Sequence, residues 1–106
     1  MDERTEAAIA AKMSFSNALC RLRAGRKITR EGWNGKGMFL YLVPGSQFNV
    51  NRPPLLGIYP EGTSIDYRPH IDMKTVDGSC VPWVASQSDL LSDDWIEVDP
   101  PELRSE

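Results

Sequence analysis

The sequence predicts an α+β domain in which one N-terminal helix packs on a small antiparallel sheet and a long irregular loop joins two of the strands. Three observations carry this expectation. Residues 14–25 hold an amphipathic stretch at helical spacing, the remainder reads as short extended segments broken by Gly and Pro, and Asp77-Gly78 lies between alternating residues as a hairpin turn does. A chain of 106 residues is long enough for one core and too short for two. The expected organisation is a flexible or helical extension over 1–12, a single domain over 13–98, and a disordered tail over 99–106 that contains Pro100 and Pro101.

Ser14 is a plausible N-cap, because its hydroxyl accepts from a backbone N–H that the first turn leaves without a partner. Phe15, Ala18, Leu19 and Leu22 then share one helical face, and Gly25 ends the helix. So short a helix is marginal alone and must pack on something, most simply a sheet. Candidate strands are 27–30, 38–43, 65–75, 79–84 and 95–98. The run Met38-Phe39-Leu40-Tyr41-Leu42-Val43 is apolar throughout, so both of its faces should be covered, one of them by another subunit. Residues 44–63, with Arg52-Pro53-Pro54 and Tyr59-Pro60-Glu61-Gly62, read as a long packed loop. A two-residue turn at Asp77-Gly78 would place Lys74 opposite Val81, Asp72 opposite Trp83 and His70 opposite Ala85. It would thereby gather His70, Asp72, Lys74 and Trp83 on one face and leave Ile71, Met73, Cys80 and Val84 on the other. Residues 86–94 suggest a short capped helical turn before the last strand.

Composition narrows the function classes. Hydrophobic residues at 41% and charged residues at 25% exclude collagen-like, coiled-coil and wholly disordered chains. No apolar run approaches the roughly 20 residues of a membrane span, and the acidic N-terminus fits neither a secretory signal nor a transit peptide, so a cytoplasmic protein without membrane association is expected. Residues 13–98 carry nine Lys/Arg against nine Asp/Glu, so the net charge of −3 comes from the two ends. A neutral body argues against binding to DNA or RNA polymers, whose affinity comes from many phosphate neutralisations.

Catalytic machinery does not stand out. Cys20 and Cys80 lie far apart with no zinc-type spacing, His70 is the single histidine, and Asp93-Asp94 reads as a solvated helix end, so the expectation is no enzyme, no metal and no cofactor. Gly32-Trp33-Asn34-Gly35-Lys36-Gly37 lacks the spacing of a P-loop or a dinucleotide turn. It reads equally as a backbone nest for an anion with a stacking indole, or as a Gly-rich turn with Trp33 tucked into the core. The cluster Arg21, Arg23, Arg26, Lys27 and Arg30 reads as the ordinary complement of a helix C-terminus.

The run Gly32 to Lys36, the strand ending Val43-Pro44-Gly45-Ser46, the segment Tyr67-Arg68-Pro69-His70-Ile71-Asp72-Met73-Lys74, and Val81-Pro82-Trp83 through Gln87-Ser88-Asp89 to Asp94-Trp95 together resemble a phage and bacterial family that includes the second type of Thoeris anti-defence protein. The resemblance spans about Met13 to Val98. It implies a sponge: a small homo-oligomer, typically a tetramer, that sequesters cyclic ADP-ribose isomers, some relatives also holding guanine-containing cyclic dinucleotides. Chemistry and resemblance together nominate Trp33 and Trp83 as stacking surfaces with Phe39 nearby. They nominate Asn34 and Gln87 for base or ribose edges, Asp89 for ribose hydroxyls, and Lys36 and Arg68 for phosphates, with His70, Asp72 and Lys74 as a second tier. The rival expectations are a protein-interaction or structural domain, and a hydrolase or lyase acting on the same nucleotide.

Overall fold

A computed structural model describes residues 11–33 and 37–98. The tail expected over 99–106, most of the extension expected over 1–12, and the candidate site residues Asn34 and Lys36 lie outside the described residues. The architecture is α+β, as expected, with a short second helix. Helix α1 spans Phe15–Arg23; strands β1 (Lys27–Arg30), β2 (Phe39–Val43), β3 (Ser46–Asn49), β4 (Ser64–Tyr67), β5 (His70–Lys74) and β6 (Cys80–Pro82) follow, then helix α2 (Gln87–Leu91) and strand β7 (Trp95–Val98). Five strands form one antiparallel sheet in the order β6-β5-β2-β1-β7, and β3 and β4 pair apart as a two-stranded ribbon.

Helix α1 begins where the hydroxyl of Ser14 accepts from the N–H of Asn17 at 3.3 Å. It closes with Gly25 N–H donating to the Leu22 carbonyl and Arg26 N–H to that of Arg21, the paired bonds of a Schellman end. The apolar stripe packs on one face of the sheet. Ala18, Leu22, Ile28, Leu40 and Trp95 are fully buried there, with Met13, Phe15, Leu19, Trp33, Ile71, Met73 and Trp83 packed against them. Glu97, beside Ile28 on this face, pairs with Arg21 and Arg26 and so ties β7 to the helix C-terminus. The arginines at the helix end therefore hold a specific carboxylate as well as complementing the dipole.

Three expectations are corrected. Residues 46–49, read as the start of the irregular loop, are a strand, and 65–75 is two strands broken at Arg68-Pro69 because proline withholds a ladder donor. The ribbon that results is an arm whose pairing runs on through Val50 N–H to the Thr63 carbonyl and Gly62 N–H to that of Val50. The β5–β6 hairpin is shifted by one residue: Lys74 faces Cys80, Met73 faces Val81 and Asp72 faces Pro82. Its loop is Val76–Gly78, closed by Gly78 N–H to the Thr75 carbonyl and Thr75 N–H to that of Ser79, with Gly78 at φ 91°, the arrangement of three-residue hairpins. Since side chains alternate, the shift moves Trp83 off the face that holds His70, Asp72 and Lys74 and onto the helix-covered face. No described element of this chain covers the second face of β2.

Candidate functional site

Two neighbouring environments at one end of the sheet hold most of the polar chemistry. The first lies under the segment that follows β1. Arg30, at the end of that strand, sends Nε to Asp94 Oδ1 at 2.9 Å and Nη1 to Asp89 Oδ1 at 3.0 Å. Asp89 Oδ1 also accepts from the indole Nε1 of Trp33 at 3.2 Å, while its Oδ2 accepts from Ser86 N–H at 2.9 Å and Ser86 Oγ accepts from Asp89 N–H, the capping box of α2. The Asp89 carbonyl takes the indole N–H of buried Trp95, and Asp94 Oδ2 takes Gly32 N–H at 2.8 Å. Burial alone would raise Asp89, but hydrogen bonds from Ser86, Arg30 and Trp33 outweigh it and hold the carboxyl below the usual range. Asp94 is held low chiefly by Arg30, against its partial burial and with help from Gly32. Trp33 is thus fixed at its indole nitrogen and packed edge-on against Trp95 and Trp83, with ring centroids 5.4 and 6.5 Å away.

The second environment is the uncovered face of the sheet. Alternation places Lys27 and Thr29 of β1, Phe39, Tyr41 and Val43 of β2, His70, Asp72 and Lys74 of β5, Cys80 of β6, and Ile96 and Val98 of β7 on it. Phe39 faces Lys74 across β5, and the ammoniums of Lys27 and Lys74 stand 5.2 and 5.7 Å from its ring centroid. Lys74 Nζ also donates to the Gly37 carbonyl at 3.0 Å. Tyr41, opposite Asp72, is pushed up to about 12 by its hydrogen bond with Cys80, by desolvation and by the neighbouring negative charges, so its phenol stays protonated at neutral pH. A concavity of about 390 Å³ joins the two environments, its wall running from Trp33 past Gly37 to Phe39, Thr29 and Val98. A larger one of about 650 Å³ lies along the arm, where the ionisable lining residue is Arg52 and the aromatic one Phe48. The smaller concavity is the better candidate because it brings an oriented indole and a phenyl ring together beside two cations.

The nominated residues separate into three groups. Trp33 and Phe39 line this concavity, and Lys74, Asp72 and His70 continue along the open face, His70 Nε2 lying 3.9 Å from Asp72 Oδ1 and its ring stacked on Tyr67 at 4.9 Å. Trp83, Gln87 and Asp89 lie on the helix side: Trp83 is 6.1 Å from both Phe15 and Trp95, Gln87 is exposed on α2, and Asp89 is buried with its carboxylate occupied by three hydrogen bonds, from Arg30, Trp33 and the Ser86 N–H of the α2 cap. Arg68 is exposed at the base of the arm, before β5 begins, whereas Lys74 closes that strand at its other end. Sequence reasoning missed Lys27, Arg30 and Tyr41. The strict alternation of Lys27 and Thr29 with buried Ile28 is the signal that would have placed Lys27 on the outer face.

Among the described residues, no group of three or more His, Cys, Asp or Glu side chains is arranged to hold a metal ion, and no helix is long and apolar enough to cross a membrane. Fold and site define a small α+β domain with an open, aromatic and cationic sheet face. Residues 13–98 match the model of the Thoeris anti-defense 2-like domain, and the chain belongs to that family. It is also 37% identical over 94 residues to the Thoeris anti-defense 2 protein of Bacillus phage SP01, an alignment that covers 79% of this chain and 92% of the phage protein.

Proposed function

We propose that this protein counters Thoeris-type anti-phage defence by binding and holding a small cyclic nucleotide signal in the host cytoplasm without altering it. The ligand classes are a cyclic ADP-ribose isomer and, as a second class, a guanine-containing cyclic dinucleotide. Family membership supports the anti-defence role. The observation that carries the mechanism is the concavity between Trp33 and Phe39, whose rings offer stacking surfaces beside the Lys27 and Lys74 ammoniums. Trp33 is half-buried and its indole nitrogen is held by Asp89, so the ring is positioned before the ligand arrives and little ordering entropy is lost on binding. The network around Arg30 has its carboxylates paired with cations and donors, which suits a holding site better than acid–base work.

Separation of Arg68 and Gln87 from this concavity within one chain supports a homo-oligomer, with a tetramer expected, whose pockets combine surfaces of more than one copy. A protein-interaction domain is the second reading, favoured by apolar residues on the arm such as Ile58, which is 68% exposed, and Tyr67. Incubating purified protein with a panel of cyclic ADP-ribose isomers and cyclic dinucleotides, removing free nucleotide, and releasing the bound fraction by heat tests the proposal. Recovery of intact ligand is expected. A cleaved product would overturn the holding role in favour of catalysis, and no uptake of any nucleotide together with a defined protein partner would favour the second reading.

A further inference from the structure

From the register of β1, β2 and β5 we infer a phosphate subsite on the open sheet face, formed by Lys27 and Lys74 about the ring of Phe39 and suited to a diphosphate or a pair of phosphodiester groups. The inference rests on the proposed nucleotide-holding role and names where the ligand's anionic part goes. Two like charges converge on one phenyl ring, at 5.2 and 5.7 Å from its centroid. The ring quadrupole attracts each ammonium but neutralises neither.

The carboxylates around them are otherwise engaged. Glu31 pairs with Lys12, Asp89 and Asp94 with Arg30, and Glu97 lies on the opposite face with Arg21 and Arg26. Asp72, the carboxylate of this face, lies two residues along β5 from Lys74 and opposite Tyr41 rather than Phe39, with the His70 ring nitrogen Nε2 3.9 Å from its Oδ1. Among the described residues neither lysine has an ion-pair partner. Their mutual repulsion is relieved by an anion that meets both, and such an anion gains charge-assisted hydrogen bonds from ammoniums that a stacked ring keeps near one position. One donor of Lys74 is already committed to the Gly37 carbonyl, which orients the head while leaving two donors for a ligand.

Position argues for a nucleotide's phosphates in particular. Phe39 is shared between this cation pair and the concavity that Trp33 lines, so a ligand seated against the rings would run its phosphates toward the lysines. A single carboxylate would engage one ammonium well; two linked phosphates can engage both.

The test uses Lys27→Met and Lys74→Met, which keep most of the apolar stem and remove the charge, with Arg23→Met on the exposed helix surface as a control and thermal unfolding to confirm that each variant folds. Titrations follow inorganic diphosphate and, separately, the cyclic nucleotides. Each lysine variant is expected to weaken both ligands by about ten- to a hundred-fold and to flatten the salt dependence of binding, while Arg23→Met binds as the parent does. Cyclic nucleotide bound equally by parent and lysine variants would overturn the subsite and leave the holding role standing. Diphosphate bound in a lysine-dependent way with no cyclic nucleotide bound would support the subsite and overturn the holding role. A parent protein that takes up neither ligand would overturn both. A variant that fails to fold is replaced by Lys27→Gln or Lys74→Gln, judged by the same outcomes.

Discussion

Removing the Asp89 carboxylate should be among the most damaging changes available outside the apolar core. Asp89→Ala deletes the reciprocal cap of α2, about 1 kcal/mol. It also takes an acceptor from the Trp33 indole N–H and one of two carboxylates from Arg30, whose side chain is 16% exposed. A fully buried charge stripped of its partner costs about 3–5 kcal/mol, but Arg30 keeps Asp94 and some water, so that contribution falls to about 1–2 kcal/mol. The expected total is about 3 kcal/mol, a fall in Tm of roughly 12–20 °C for a domain of this size. Urea unfolding should show a lower midpoint at unchanged slope, because the surface exposed on unfolding is the same. Asp93→Ala, an exposed neighbour, should stay within about 0.5 kcal/mol of the parent. The pH dependence has a fixed sign. Asp89 and Asp94 sit below their unfolded values near 3.9, so their stabilisation is complete above that pH and is lost as pH falls through the lower folded values. Stability linked to these two groups should therefore be flat from pH 7 to 5 and fall below about 4, less steeply in Asp89→Asn. An Asp89→Ala protein within about 0.5 kcal/mol of the parent would refute the reasoning.

Gly32→Ala tests the same network from its other end. A Cβ there would stand 2.8 Å from Asp94 Oδ2, so Asp94 must move off the Gly32 N–H, and a loss of about 1 kcal/mol with weaker nucleotide uptake is expected by calorimetry and titration. Glu97→Ala leaves Arg21 and Arg26 facing one another at the helix end; because both arginines are more than a third exposed, the loss read from urea unfolding should be about 1–2 kcal/mol rather than the value for a buried pair.

Local features of the chain were legible where one element's chemistry is self-contained. Ser14 and the stripe Phe15, Ala18, Leu19, Leu22 specify α1 without reference to anything distant, and β2 and β7 follow from the short apolar stretches Phe39–Val43 and Trp95–Val98. Pairing was less legible. Asp77-Gly78 fits a two-residue turn as well as a three-residue loop, and the choice is made by Thr75 and Asp77, whose side-chain oxygens accept from Ser79 N–H. That one-residue difference decides which face Trp83 occupies. Strand β3 was hidden because Ser46–Asn49 finds its partner β4 only after the Pro-containing stretch between them. Asp89 has a structural role that the sequence also signals: Ser86 stands three residues before it, the spacing of a capping box.

Self-association is the remaining expectation, and binding energetics supply its argument. Nanomolar retention of a signal requires about −12 kcal/mol, whereas stacking supplies roughly 1–3 kcal/mol per base, and the concavity beside Phe39 lies at an open sheet face. The same face carries Phe39, Tyr41, Val43, Ile96 and Val98 at intermediate exposure, and the arm adds a two-stranded ribbon of a kind that is marginal without packing. A second copy laid against these surfaces would cover apolar area and wall in the ligand together. Light scattering should therefore give a mass that is a multiple of 11.9 kDa. Replacing Val43 by Glu, at the end of β2 away from the concavity, should shift that mass downward and weaken nucleotide uptake in parallel. An 11.9 kDa species that holds a cyclic nucleotide at nanomolar concentration would show that one chain encloses its ligand unaided, and the case for a shared pocket would fail.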